Sequence, residues 1–494
     1  MEVIAPSPMR RAAVAERPLT DRQQRTRAHF DRIAAERGMW LDRNRFFYES
    51  DRAYMRFLIP SGRSVLEIGC GTGDLLRALA PSRGVGIDIS EAMIAIARQA
   101  CPGYEFHAGN AEDPSTLGRI SGPFDFIVLS DVVGYLEDCE AAFAALRPLC
   151  TAQTRIIVAY YSHLWEPVLE FGARIGMKMP TVEQNWLSTE DTTNLLMLSG
   201  YEVVRCERRQ LLPKRLLGLG GLVNRSIGPV PGFRLLSLRT YTVARPLIPH
   251  AASETPPSCS VLIPCRNERG NIENVVRRLP EFADCLEIVL IEGHSTDGTY
   301  EECLRVRDAY PGRNIRVLRQ PGKGKRDAVY HGIAAASGDI LMILDADLTV
   351  PPEAMPKFYN ALVLGRGEFV NGTRLVYPMA EKAMRHLNFF ANRAFAAIFS
   401  YLLNQRFTDT LCGTKAFWRR DYDAIAADRG YLGDFDPFGD FDLLFGAAKL
   451  NLKIVELPIR YADRTYGKTQ IERFPHGLLL ARMVVFGWRK FKAL

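Results

Sequence analysis

The stretch Ile340-Leu-Met-Ile-Leu-Asp-Ala-Asp-Leu348 constrains this chain most. An unbroken apolar run of this kind is a strand buried on both faces. Asp345 and Asp347 emerge where it stops, with Thr349-Val-Pro-Pro352 as the turn. Two carboxylates one residue apart at a sheet edge supply hard oxygen ligands, which favour Mg²⁺ or Mn²⁺ and suit a cation that bridges to a diphosphate. The same pair would also serve as solvated acids at a strand end, so the neighbouring segments decide between the two.

Two buried runs precede it, Ser260-Val-Leu-Ile-Pro-Cys-Arg-Asn-Glu268 and Glu287-Ile-Val-Leu-Ile-Glu-Gly-His-Ser-Thr-Asp-Gly-Thr299. Each passes from apolar to polar and then opens a helix. This alternation predicts a doubly wound parallel α/β sheet with ligands at the carboxyl ends of its strands. Before the Asp-x-Asp strand lies Gln320-Pro-Gly-Lys-Gly-Lys-Arg-Asp-Ala-Val329, where glycines let backbone approach an anion and Lys323, Lys325 and Arg326 add charge. It has the make-up of a phosphate-facing loop.

The order Pro264-x-x-Asn-Glu268, Ser295-Thr-Asp-Gly-Thr299 and Asp345-x-Asp347 resembles family 2 glycosyltransferases, over about residues 258 to 494. The resemblance implies a GT-A fold that binds a nucleotide sugar, with Asp345 and Asp347 holding a metal on its diphosphate. It places Pro264, Arg266, Asn267, Glu268, Glu292, Asp297, Lys323, Lys325 and Asp327 around the same ligand. Gly293 stands where the family usually has the second of two adjacent acids, which leaves UDP and GDP both open. The segments Thr408 to Phe417, Phe441 to Leu444 and Val455 to Thr469 resemble those of dolichyl-phosphate and polyprenyl-phosphate sugar synthases. That likeness implies a polyprenyl phosphate acceptor and inversion at the anomeric carbon.

Arg464 and Lys468 flank Gly467 in a short polar turn, a suitable clamp for a lipid phosphate. A phosphate oxygen attacks without a strong base, so Asp345, Asp347 and Arg464 would carry the chemistry. A saccharide hydroxyl would need a carboxylate base, and Asp442 or Asp440 would be the candidates, with Asp436 behind them.

A lipid acceptor predicts contact with a membrane. Phe389 to Leu403 is apolar but interrupted by Asn392 and Arg393, short of the ~20 residues a span needs. Gly477 to Lys492 combines apolar residues with a Trp and ends in Arg489, Lys490 and Lys492, the composition of a helix lying on an anionic surface. Leu211 to Val223, apolar, basic and glycine-rich, suits a lid, a membrane-facing patch or a packed connector. No segment reads as transmembrane.

The front half carries another series. Ser64-Val-Leu-Glu-Ile-Gly-Cys-Gly-Thr-Gly-Asp74 is a buried strand that turns through glycines into a helix, and Gly84-Val-Gly-Ile-Asp-Ile-Ser90 is a second strand ending in an acid. Gly109-Asn-Ala-Glu112 and Phe124-Asp-Phe-Ile-Val-Leu-Ser-Asp131 follow. The series resembles class I S-adenosylmethionine-dependent methyltransferases, with a Rossmann-like fold, over about residues 40 to 245. By that resemblance Glu67, Gly69, Gly71 and Gly73 surround the amino-acid end of S-adenosyl-L-methionine and Asp88 holds its ribose. Ile89 and Met93 lie near the adenine, Ala111 and Glu112 meet its amino edge, and Ser130 and Asp131 face the methyl-transfer side. The last glycine comes two residues after the second, not three, which argues against a dinucleotide fingerprint. Tyr135, Tyr160, Tyr161 and His163 are candidates for the acceptor pocket or packed aromatics.

Two tandem doubly wound α/β domains follow from these readings. Residues 1–39 are a tail and lead-in helix, 40–245 the methyltransferase-like domain, 246–258 a Pro- and Ser-rich linker and 259–494 the glycosyltransferase-like domain. A net charge of +7 is too small to demand nucleic acid and fits phosphorylated ligands or anionic head groups. Ten cysteines without a Cys-x-x-Cys pair suggest free thiols and no structural zinc. The expectation is a bifunctional cytoplasmic enzyme of glycan assembly, peripheral to the inner face of the cytoplasmic membrane. The rival reading is a glycosyltransferase whose first domain only binds or scaffolds.

Overall fold

The computed structural model describes residues 18–248, 255–377, 386–432, 439–462, 464, 466 and 473–493. Asp436, Gly467, Lys468 and the centre of the linker lie outside these residues. The chain divides into two compact units, Met1–Leu247 and Ile248–Leu494.

The first unit is built on seven strands: β1 (Ser64–Ile68), β2 (Arg83–Asp88), β3 (Glu105–Ala108), β4 (Phe126–Ser130), β5 (Arg155–Tyr161), β6 (Tyr201–Arg209) and β7 (Arg239–Pro246). Their order is β3-β2-β1-β4-β5-β7-β6. β1 sits inside the sheet because Val65, Leu66 and Ile68 are apolar on both faces and buried. The sequence pattern places a last strand before the linker but not its direction: β7 runs antiparallel to both β5 and β6. The chain order reverses between β1 and β4, opening the crevice at the strand ends where ligands bind in such sheets.

The lead-in helix Asp21–Ile33, set apart from the domain in the sequence reading, is bonded into it. Thr20 and Gln23 form a capping box at its start. Gln23 Nε2 donates to Glu112 at 2.9 Å, Arg22 Nη2 to Asn185 Oδ1 at 2.9 Å, and Asp31 accepts from Ser90 Oγ at 2.6 Å.

The second unit holds β8 (Cys259–Cys265), β9 (Leu286–Glu292), β10 (Asn314–Arg319), β11 (Ile340–Ile343), β12 (Phe369–Thr373), β13 (Lys415–Trp418) and β14 (Ile454–Pro458), in the order β10-β9-β8-β11-β13-β12-β14. The four strands from β10 to β11 are parallel, as the alternation predicts. β13 runs antiparallel to its neighbours β11 and β12, so the sheet is mixed. The core beneath it gathers the apolar runs of β8, β9 and β11 with the helix Met355–Val363.

The C-terminal segment, expected to lie on a membrane, is helical, and part of its charge turns toward the protein. After the helix Arg473–Gly487 the chain closes in a π turn, Trp488–Lys492. Lys492 is buried and donates to Asn404 Oδ1 at 2.9 Å, while Lys490 bonds to the Tyr431 carbonyl and lies over its ring. Phe491 packs against Phe445. Two of the three cations assigned to a lipid surface therefore bond to the protein, Lys492 buried and Lys490 half-buried, while Arg489 is exposed. In the helix His386–Leu403, Ala396, Phe399, Leu402 and Leu403 are buried as well. Among the described residues no helix is long and apolar enough to cross a membrane.

Candidate active sites

In the first unit the glycine loop after β1 bends over a cavity of about 400 Å³. Gly71 has φ +52°, which disfavours side chains, and a Cβ there would point into open space. Its N–H donates to Asp88 Oδ2 at 2.8 Å, and Ser90 N–H donates to Asp88 Oδ1 at 2.9 Å. Burial raises the Asp88 carboxyl above its ordinary range, against the pull of those two bonds and of Arg37. Asp88 thus ties the end of β2 to the loop after β1 while lining the cavity.

Glu67 is buried and lines the same cavity, and its Oε2 has no hydrogen-bond partner. Burial pushes this carboxyl well above the usual glutamate value, reinforced by Asp74, Asp88 and Asp51. A buried carboxylate oxygen without a donor is costly unless a ligand supplies one. The cationic amino-acid end of S-adenosylmethionine is such a donor, so the residues present fit the cofactor that the glycine loop implies.

Gly69, Ile89, Met93, Ala111, Glu112, Ser130 and Asp131 all border the cavity. Gly73 opens the helix Asp74–Leu79 with φ +76°. The Glu112 carboxylate is largely engaged by the chain, accepting from Glu137 N–H (2.9 Å), Asp138 N–H (2.7 Å) and Gln23. Of the four aromatic candidates, Tyr135 and Tyr161 line the cavity. Tyr160 is buried with its hydroxyl on the Asn185 carbonyl at 2.6 Å, and His163 is exposed.

Sequence reasoning missed the group that organises the side of the cavity bordered by Ser130 and Asp131. Arg239, fully buried on β7, donates to Asp131, to Ser130 Oγ at 2.9 Å and to Asp51 Oδ1 at 2.9 Å, and Tyr241 donates to Asp51 at 2.6 Å. Burial opposes its charge, but Asp131 and Asp51 outweigh it and hold the guanidinium protonated. Nothing local marks these residues, since Asp51 and Arg239 lie far apart in the chain.

In the second unit the two acids after β11 meet cations. Asp345 Oδ1 lies 2.7 Å from Lys325 Nζ. Asp347 accepts at Oδ1 from Thr349 N–H (3.1 Å) and Oγ1 (2.7 Å), and at Oδ2 from Arg464 Nη2 at 2.7 Å. Arg464 also reaches Glu268 Oε1 at 3.1 Å. Burial raises the Glu268 carboxyl, partly offset by Arg464. Burial works against the Lys325 charge, but Asp345 and Asp440 hold its pKa above the ordinary lysine value. A Cβ at Gly413 would stand 2.3 Å from both Asp345 Oδ2 and Lys325 Nζ, so the loop before β13 presses on this pair only because that residue is glycine.

The remaining residues of the nucleotide set divide. Asn267, at φ +56°, donates its N–H to Ser295 Oγ (2.9 Å) and accepts from Thr296 N–H (2.9 Å), lacing the first two motif loops together. Asp297 accepts from Thr299 N–H at 3.1 Å at the start of the helix Thr299–Ala309. Glu292 is buried and takes the Ser295 N–H, and Asp327 takes the Gly322 N–H at 2.8 Å. Pro264 ends β8 half-buried, while Arg266 and Lys323 are exposed. Asp442 is buried against Tyr330, whose hydroxyl donates to it, whereas Asp440 pairs with Lys415 at 3.0 Å. Of the two candidate bases, Asp440 is the one drawn into the Lys325–Asp345 cluster. Lys415, buried on β13, is a further member that sequence reasoning missed.

Among the described residues no group of three or more potential ligands converges on one point. Asp345 and Asp347, paired with Lys325 and Arg464, do not form a closed all-protein site, and a divalent cation there would be shared with a diphosphate.

Residues 66–156 match the family model for a methyltransferase domain, and residues 260–425 that for glycosyl transferase family 2. The dolichol-phosphate mannosyltransferase of Pyrococcus furiosus is 39% identical over 119 residues, 24% of this chain and 33% of the relative. That of Saccharomyces cerevisiae is 36% identical over 109 residues, 21% of this chain and 40% of the relative. The chain therefore matches only a third to two fifths of the length of these relatives. A SAM-dependent methyltransferase structure from Thermotoga maritima is 20% identical with a TM-score of 0.35, covering 44% of this chain and 99% of that one. Both family matches fall where the two motif series lie.

Proposed function

We propose that this chain, which matches family models for a methyltransferase domain over residues 66–156 and for glycosyl transferase family 2 over residues 260–425, is an enzyme that glycosylates a polyprenyl phosphate and methylates a related intermediate. The observation that carries the first half is the cluster at the end of β11. Asp345 and Asp347 stand among Lys325, Lys415 and Arg464, an array suited to a donor diphosphate and an acceptor phosphate.

In this reading an acceptor phosphate oxygen attacks the anomeric carbon, and the bond from that carbon to the donor diphosphate breaks with its electron pair, inverting the centre. A divalent cation on Asp345 and Asp347 would stabilise the charge that develops on the leaving diphosphate. Arg464 trades its carboxylate partners for phosphate oxygens, and Lys325 neutralises the leaving group. Asp440 pairs with Lys415, and Asp442 is buried with the Tyr330 hydroxyl donating to one of its oxygens. The preference for a phosphate acceptor rests on the cations gathered around Asp345 and Asp347. In the first unit Glu67, Asp88 and the glycine loop bind the methyl donor, while Ser130 and Asp131, fixed by Arg239, flank the acceptor. Positioning supplies most of the rate for such a transfer.

The test is incubation with Mg²⁺ or Mn²⁺, labelled UDP- and GDP-sugars and undecaprenyl phosphate, counting label in the organic phase. Transfer that vanishes in Asp347→Asn supports the proposal and identifies the donor. Transfer only to a saccharide, lost in Asp440→Asn, would move the acceptor to a hydroxyl.

A further inference from the structure

The cavity of the first unit has a rim that a water-soluble acceptor does not explain. Leu164, Val168, Phe171 and Ile175 recur at spacings of four, three and four along the helix Glu166–Arg174 and its two ends, forming one stripe. All four are between 50% and 62% exposed, and no residue of that helix is buried. Val168, Phe171 and Ile175 line the cavity itself. A contiguous apolar stripe left in water at a binding site marks a place where an apolar partner lies.

Charge accompanies the stripe. Lys178 and Lys214 also line the cavity, and neither has an ion-pair partner among the described residues. Lys178 lies over the Tyr161 ring at 5.8 Å, and Lys214 donates only to Asn44 Oδ1, at 2.8 Å. Burial draws both ammonium groups below the ordinary lysine range. From Lys214 the surface continues into residues 208–238, which hold six cations and no acid, although Arg208 and Arg234 face Glu190 and Glu207 from outside that segment. Leu217 and Leu222 stand exposed there, and Trp165 Nε1 ties this segment to the stripe through the Leu236 carbonyl at 2.8 Å.

We infer that the methyl acceptor is an anionic amphiphile, whose apolar chain lies along Val168, Phe171 and Ile175 and whose phosphate meets Lys178 and Lys214. This rests on the reading of the cavity as the methyltransferase site and adds the acceptor class. A free sugar phosphate would satisfy the lysines and leave the stripe in water. An uncharged lipid would cover the stripe and leave both lysines unpaired.

The experiment uses the full chain, saturated with S-adenosylmethionine, and a diazirine-bearing farnesyl phosphate, with the labelled peptides located by mass spectrometry. Label is expected within residues 164–180 and 211–236, falling about tenfold in Phe171→Asp and severalfold in Lys178→Ala, each checked for an unchanged thermal melt. Farnesyl phosphate should compete at concentrations where farnesol and inorganic phosphate do not. Label confined to the second unit would overturn the inference, as would competition by inorganic phosphate alone or by farnesol alone. Calorimetric titration of S-adenosylmethionine separates the two levels. Cofactor binding without label in the first unit sinks the acceptor class only, and absence of cofactor binding sinks the methyltransferase reading with it.

Discussion

The two sites use acids at strand ends in opposite ways. In the first unit Glu67, Asp88, Asp131 and Asp51 converge with one fully buried cation, Arg239, holding the last two. In the second unit Asp345, Asp347 and Asp440 each face a lysine or an arginine. The difference matches the ligands proposed for each. A cofactor carrying an ammonium charge calls for a carboxylate oxygen without a partner, as Glu67 offers, while a diphosphate calls for cations already in place. The same α/β architecture is therefore biased toward a cationic or an anionic ligand by a few side chains at the carboxyl ends of its strands.

The largest effect that would break this contrast is on stability. Arg239→Met should lower the stability of the first unit by about 3–5 kcal/mol, because Asp51 stays buried, and Asp131 half-buried, without this counter-charge. Calorimetric melting should show the first unit's transition move and the second's stay. A second-unit shift of equal size would mean that the two do not unfold separately.

Next comes Asp347→Asn, expected to reduce sugar transfer by about 10²–10³-fold, the usual cost of losing one group that stabilises charge in the transition state. S-adenosylmethionine binding should be untouched. Gly413→Ala should carry a small positional cost, pushing aside the side-chain ends of Asp345 and Lys325 that its Cβ meets at 2.3 Å. That cost should appear as a raised KM for the nucleotide sugar in initial-rate kinetics, and an unchanged KM would detach the glycine from the donor site.

The smallest effect concerns Glu67, whose carboxyl burial holds well above its ordinary value in the free protein. A cationic group bound beside it favours the ionised form, so binding should release a proton. S-adenosylmethionine affinity should then rise with pH until the raised folded-state pKa is passed, by at most about tenfold per pH unit. Titration in two buffers of different ionisation enthalpy reads the proton directly, and zero release would put the ammonium of the cofactor elsewhere.

Much of the fold was legible because its signals are local. The apolar runs of β1, β2, β4, β8, β9 and β11, each ending in a polar turn, announced parallel strands and the loops at their ends. β7 and β13 were not legible as antiparallel, since strand direction depends on where the preceding connection returns, not on composition. The C-terminal cations were misjudged for a related reason. Lys490 and Lys492 look solvated in sequence, yet their partners Tyr431 and Asn404 come from segments far away in the chain.

By itself the sequence determined which loops carry glycine and which strand ends carry acids, because close backbone approach and buried strands select residue types at fixed spacing. Only the tertiary structure decided which charges those acids meet. Arg239 reaches Asp51 across 188 positions, and Arg464 reaches Asp347 across 117. Separations of that size leave no pattern in a single chain, because such a pair is created by the packing of the sheet and not by any local preference of its residues.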